Sequence, residues 1–247
     1  MTPSAHLERS RRYAALAGIE WQALDQIGAP APYRGPIVSS SHRQILEAPL
    51  GRLGIPINID LGIDGYLQRE DALKLYELAY FSLGDVLEFG THKGLSASII
   101  ARALWDGGGE RMLETVDIDA NAMGEARRAV ALTPGGHRVT FAVKDAVERL
   151  GELAEQKRRF GFVFVDHWHG YEATLAVARR CKNVLLPGGY VQFHDFLDPS
   201  NADPQHVYGV YQAVLDSICE DDRFVFDSLA GCTAVFRFAT KSTMPTG

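Results

Sequence analysis

Two rhythms of apolar and polar positions run through the 247-residue chain. From Gln68 onward, Ala72, Leu75, Tyr76 and Ala79 recur at helical spacing, and residues 86–89 then form a short apolar run of strand type. Strands are predicted again at 113–118, 139–143, 162–165 and 190–193, separated by helix-length amphipathic stretches. Parallel strands need long crossovers, and these stretches supply them. The pattern therefore predicts an α/β fold: a doubly wound, mostly parallel, seven-stranded sheet covered on both faces. Residues 224–226 and 233–238 lie too close together for a helical crossover and should form an antiparallel hairpin at the sheet edge. LLPGGY, residues 185–190, reads as a helix exit and a turn into the fifth strand.

Residues 1–63 follow neither rhythm. A short amphipathic helix is expected at 7–27, and the proline-rich APAPYRGP after it cannot be regular helix. The chain thus divides into an N-terminal arm or cap, 1–63, and an α/β domain, 64–247. Such an arm suits exchange with a partner subunit in a homodimer.

Composition narrows the partners. With 46% hydrophobic and 23% charged residues the chain is an ordinary globular sequence, and its net charge of −6 argues against a broad nucleic-acid or anionic-membrane surface. No stretch approaches the roughly 18 uncharged apolar residues of a membrane span, and no signal-type apolar region opens the chain. Cys181, Cys219 and Cys232 lack metal-binding spacing and read as buried free thiols. The expectation is a soluble cytoplasmic protein acting on small molecules.

The chemistry gathers at the predicted strand ends. VLEFGTHKGLSAS, residues 86–98, leads from strand through Glu88, Gly90 and Gly94 into helix, with the glycines where the chain turns sharply and a ligand nears the backbone. The spacing is E-x-G-x-x-x-G, which lacks the third glycine of a dinucleotide loop. Asp117 closes the second strand, where an acid accepts hydrogen bonds from both hydroxyls of an unphosphorylated ribose. Asp119 suits a helix N-cap, and Asp145 either an N-cap or a contact to an adenine amino group.

These motifs, with LLPGGYVQFHD, resemble in content and order the class I S-adenosylmethionine-dependent methyltransferases over roughly residues 64–238. VFVDHWHGY resembles the matching segment of catechol O-methyltransferase-type enzymes, and the D-x-x-H-x-Y spacing with a later HD resembles the small-molecule branch called methyltransferase domain family 24. The resemblance implies a Rossmann-like fold that moves a methyl group from S-adenosylmethionine to a hydroxyl of a small acceptor. It places Glu88, Gly90 and Gly94 around the methionine part of the cofactor, Asp117 at the ribose and Asp145 at the adenine, with Ser96 also a cofactor-binding residue. Asp166, His167 and Trp168 line the same pocket, Trp168 by stacking on a flat ring.

Asp166 and Asp195 close neighbouring strands about 4.8 Å apart, so two carboxylates face one volume and call for a shared proton or a divalent cation such as Mg²⁺. Metal-dependent relatives supply a third ligand at the position of Phe196, which has none to offer. His194 is no simple replacement, because neighbours on an extended strand point in opposite directions; a role for Asp195 in orienting His194 or His169 without metal stands equally open. His169 occupies the position of the catechol-type catalytic lysine and is the first candidate for general base, with His194 second. Tyr171 suits a packing role at a helix start, and His92 and Lys93 either meet the methionine carboxylate or form a solvated loop face. The acceptor pocket is expected from the arm, IDGYLQRED and FLDPSNADPQHVY. An NAD-dependent oxidoreductase and a binding protein without chemistry are the competing readings.

Overall fold

Val86 and Leu87 are neighbours in strand β1 (Val86–Phe89), yet they feed different cores. Successive strand side chains point to opposite faces, so an uninterrupted apolar strand requires cover on both. The computed structural model describes residues 31–51, 58–203 and 205–239; the helix expected at 7–27 lies outside them.

Six further strands complete the sheet: β2 (Leu113–Asp117), β3 (Val139–Val143), β4 (Phe160–Val165), β5 (Leu185–Phe193), β6 (Phe224–Ala230) and β7 (Thr233–Phe238). Their order is β3-β2-β1-β4-β5-β7-β6. The first five are mutually parallel, and β7 runs antiparallel to both β5 and β6. The expected doubly wound sheet and terminal hairpin are both present.

The helices are α1 (Ser40–Glu47), α2 (Arg69–Tyr80), α3 (Leu95–Asp106), α4 (Ala120–Ala131), α5 (Ala146–Glu155), α6 (Tyr171–Cys181) and α7 (Val210–Leu215). Helices α1 to α4 contribute Ile45, Tyr76, Ile100 and Val130 to one apolar cluster, which also holds Phe162 and Phe164. Helices α5 to α7 supply Leu153, Val177 and Val214 to the other, against Leu87, Val163 and Phe193. Ile59, ahead of α2, is buried in the first cluster, and Ala31 bridges Gly231 in the β6–β7 turn.

The boundaries differ from expectation at four strands; β4 starts two residues earlier, at Phe160, and β6 runs four further, to Ala230. Residues 185–190 are the first two-thirds of β5 and not a helix exit. Phe160 pairs with Leu185 but Phe162 with Tyr190, so the extra β5 residues bulge out, with Pro187 where the ladder is broken and Gly188 at φ +84°. The second strand stops at Asp117, and Ile118 stands 73% exposed at its tip.

Candidate active site

Strand order reverses between β1 and β4, and in open α/β sheets the crevice at the carboxyl ends of such a pair is where ligands bind. The loop leaving β1 packs tightly there. A Cβ on Gly90, at φ +96°, would lie 1.9 Å from the main-chain oxygen of Asp166, and one on Gly94, at φ +92°, would press on Ala126 of α4. Both glycines thus admit neighbouring protein, where the sequence suggested a ligand. The loop is also tied sideways: His92 N–H donates to Asp117 Oδ2 at 2.8 Å, while Asp117 Oδ1 accepts from Asp119 N–H at 2.9 Å. Asp119 caps α4, and Asp145 caps α5 through Oδ1, leaving its other oxygen outside that bond.

A cavity of about 860 Å³ opens at this crevice. Its wall includes Gly90, Ser96, Asp117, Asp145, Asp166, His167, Trp168, His169, His194 and Asp195, so the strand tips singled out by sequence converge on one volume. Glu88 and Gly94 stand behind that wall. Residues of IDGYLQRED, among them Asp64 and Tyr66, line it too, as do Asp198 and Tyr208 from the loop after β5.

Glu88 is fully buried and accepts a short hydrogen bond from Thr115, yet its Oε1 has no partner. Burial pushes its carboxyl up to about 8 against the Ser96 and Thr115 hydroxyls, with the Asp166 and Asp117 charges adding to the rise. His167 also has a buried ring nitrogen, Nε2, without a partner; burial first and the neighbouring His169 second lower it to about 4, so it is neutral at pH 7. Trp168 is 67% exposed beside it.

The polar cluster departs from the expected alternation. Strand β5 ends at Phe193, and Asp195 adopts φ +56°, so His194 and Asp195 converge instead of pointing apart. A left-handed non-glycine residue costs about 1–2 kcal/mol and persists only where surroundings hold it. Asn201 does so, its side-chain amide donating to the carbonyls of Asp195 at 2.7 Å and Asp198 at 2.9 Å. His194 Nδ1 then lies 3.0 Å from Asp166 Oδ1 and 3.2 Å from Asp195 Oδ1. His169 Nε2 lies 2.9 Å from Asp195 Oδ2 and 3.6 Å from Asp166 Oδ1, its ring stacked on Tyr208 at 4.7 Å.

These contacts set the charges. Burial alone would lower both imidazoles, but hydrogen bonds from His169 to the two carboxylates hold it up at about 9, and the charges of Asp166 and Asp195 hold His194 well above its ordinary value. Asp195 is held far below the usual carboxylate range: burial opposes this, and His194 and His169 override it. The premise of an unperturbed His169 is thereby corrected, because between two carboxylates it carries a proton at neutral pH. His194, the second candidate base, is enclosed and has both ring nitrogens committed to protein groups.

Phe196 is buried against Tyr211 and offers the site nothing. Tyr171 opens α6 and donates to Asp216. Lys93 lies 3.5 Å from both Asp64 and Glu125, so acids of the protein already occupy it. Asp71, the last residue of IDGYLQRED, and Cys232 meet His194 from the far side, contacts that the sequence reading did not foresee. Asp71 did leave a trace: it sits at helical spacing with Leu75 and Leu78, an acid within an apolar stripe.

Residues 87–196 match the model of a methyltransferase domain. No curated protein matches the chain. Among solved structures, the chain is similar to the O-methyltransferase TomG from Streptomyces achromogenes, involved in tomaymycin synthesis and in complex with S-adenosylmethionine. Identity is 19%, over 84% of this chain and 92% of that one, with a TM-score of 0.58. An O-methyltransferase from Bacillus cereus in complex with S-adenosylhomocysteine is similar at 16% identity, over 89% and 96%, again with a TM-score of 0.58. At such identities the likeness establishes the fold.

Proposed function

We propose that this chain, whose residues 87–196 are a methyltransferase domain, is an S-adenosylmethionine-dependent O-methyltransferase acting on a small molecule. One observation carries the reading: a single cavity is lined both by nucleoside-type strand tips, Asp117 and Asp145, and by the Asp166–His169–Asp195 cluster. The solved structures it is similar to, with S-adenosylmethionine and S-adenosylhomocysteine, support the same cofactor.

The residues present fit that cofactor. Asp117 retains lone pairs for a ribose diol, and Asp145 one carboxylate oxygen for an amino group, beside the exposed apolar face of Ile118. Ser96, His92 and the unpartnered Nε2 of His167 supply polar contacts, and Trp168 a flat apolar surface. When bound, S-adenosylmethionine supplies an electron-poor methyl group. The protein's part is to hold the acceptor hydroxyl in line and to remove its proton.

His169 is the histidine placed for that proton, its side chain 30% exposed against 5% for His194; held up to about 9 by the two carboxylates, it accepts a proton only in its neutral form, so turnover should rise with pH toward about 9. Replacing it by Gln should lower turnover by about 10²-fold or more with S-adenosylhomocysteine affinity unchanged. A second reading rests on spacing, since Asp166, His169 and Asp195 each offer one ligand atom within 4.8 Å of the others, which suits a divalent cation. In that case His169 is a ligand in the place of the absent donor at Phe196. Incubation with S-adenosylmethionine and a panel of sugars, catechols and hydroxylated natural products, with mass-spectrometric detection of product, tests the function. EDTA and Mn²⁺ arms separate the readings: loss of product in EDTA and its return with Mn²⁺ selects the cation, while chelator-insensitive turnover selects the proton. No methylated product from any acceptor, together with no binding of S-adenosylmethionine, would overturn the proposal.

A further inference from the structure

His194 sits where a catalytic histidine is expected, but it has no free edge. Its Nδ1 is shared by Asp166 Oδ1 and Asp195 Oδ1, and its Nε2 faces Asp71 Oδ2 at 3.5 Å and Cys232 Sγ at 3.5 Å. Asp71 is 0% exposed and comes from α2, well outside the segment matched by the methyltransferase model. A buried carboxylate is costly unless hydrogen-bonded and paired. Asp71 Oδ1 accepts from Cys232 N–H at 2.8 Å and Oδ2 from Gln68 N–H at 3.1 Å. Among the described residues, His194 is the basic side chain that meets it.

The fold is shaped around this carboxylate. Gly231, in the β6–β7 turn, has φ +56°, and a Cβ there would lie 2.1 Å from Asp71 Oδ1. A capping residue of α2 is thus clamped by a turn 161 positions away. This is more than helix capping needs, since Gln68 N–H alone satisfies that role.

We infer that Asp71 is a positioning residue for the candidate active site, acting through His194. Held from behind by Asp71, the imidazole engages Oδ1 of both Asp166 and Asp195 and so fixes the rotation of the two carboxylates. Asp195 Oδ2 is then left for His169 at 2.9 Å. Second-layer partners of this kind orient the groups that do chemistry without touching substrate. The inference deepens the functional reading above, yet its test needs neither acceptor nor cofactor.

The measurement is proton NMR of the hydrogen-bonded imidazole N–H groups, with the His194 and His169 signals assigned by their loss in His194→Gln and His169→Gln. Asp71→Asn keeps the shape of the side chain and removes its charge. The expected result is a shift or loss of the His194 signal together with a shift of the His169 signal, although His169 does not touch Asp71. S-adenosylhomocysteine affinity by calorimetry should stay within twofold if that ligand binds. Should Asp71→Asn not fold, Gln68→Pro decides: residue 68 has φ −68°, which proline adopts, and the change removes one donor to Asp71 while leaving the charge. It should move both signals, by less than Asp71→Asn does. A folded Asp71→Asn, or failing that a folded Gln68→Pro, with both signals at their wild-type positions would overturn the inference. Failure of the methyltransferase reading would appear separately, as absence of cofactor binding with the NMR coupling intact.

Discussion

At the residue scale, Glu88 joins sequence, burial and chemistry most directly. Its place at the third position of β1 was legible, because an acid inside VLEF has to face something unusual. Its neutrality was not, since that follows from full burial beside Asp166 and Asp117. With its carboxyl raised from 4.5 to about 8, the folded state holds a proton that the unfolded state releases between those values. Glu88 therefore makes the cofactor-free protein lose stability as pH rises from about 4.5 to about 8, after which its contribution levels off. Other raised groups, His169 and His194, act with the same sign, so the difference between two proteins is what isolates it. Glu88→Gln should show a shallower fall in melting temperature between pH 5 and pH 8 than wild type, by thermal denaturation in matched buffers; parallel curves would mean that Glu88 is ionised throughout.

At the element scale, the loop following β5 shows where reading the sequence by period stops working. The rules for extended chain described residues 190–193 of β5 and then failed at His194 and Asp195, because they end where the chain leaves the sheet. What replaces them is local: a left-handed Asp195 and an asparagine six residues on whose amide gathers three carbonyls. Asparagine, aspartate and proline in FLDPSNADPQHVY marked a shaped loop, but not which carbonyls would be drawn together. Asn201→Ala removes those donors and the acceptor for Tyr211 N–H, at a cost of roughly 1–3 kcal/mol. The consequence should be uneven. Turnover of the acceptor identified from the panel is expected to fall at temperatures where the variant is fully folded, while S-adenosylhomocysteine affinity is retained. Equal losses in both would place Asn201 in general stability and not in the geometry of Asp195.

At the scale of the whole molecule, the mostly parallel sheet and its terminal antiparallel hairpin were readable because each depends on runs of residues and on the lengths of the connections between them. Residues that meet from distant parts of the chain were not: Asp71 and Cys232 lie 161 positions apart, and no periodicity links them. The same architecture makes the cavity a property of the entire fold, since its wall draws on loops after β1, β2, β3, β4 and β5 and on the segment before α2. A ligand seated there contacts only the folded state and must stabilise it by mass action. At a hundred times its dissociation constant the gain is about 2.7 kcal/mol, which for a chain of this size is about 5–10 °C in melting temperature. S-adenosylmethionine and S-adenosylhomocysteine should both produce such a rise. NAD should produce none, because its pyrophosphate would meet a loop that lacks the third glycine and is flanked by the carboxylates of Asp117 and Asp145. Asp117→Ala should abolish the rise for both sulfur nucleosides while leaving the unliganded melting temperature within a few degrees; a retained rise would put the ribose elsewhere on the sheet edge.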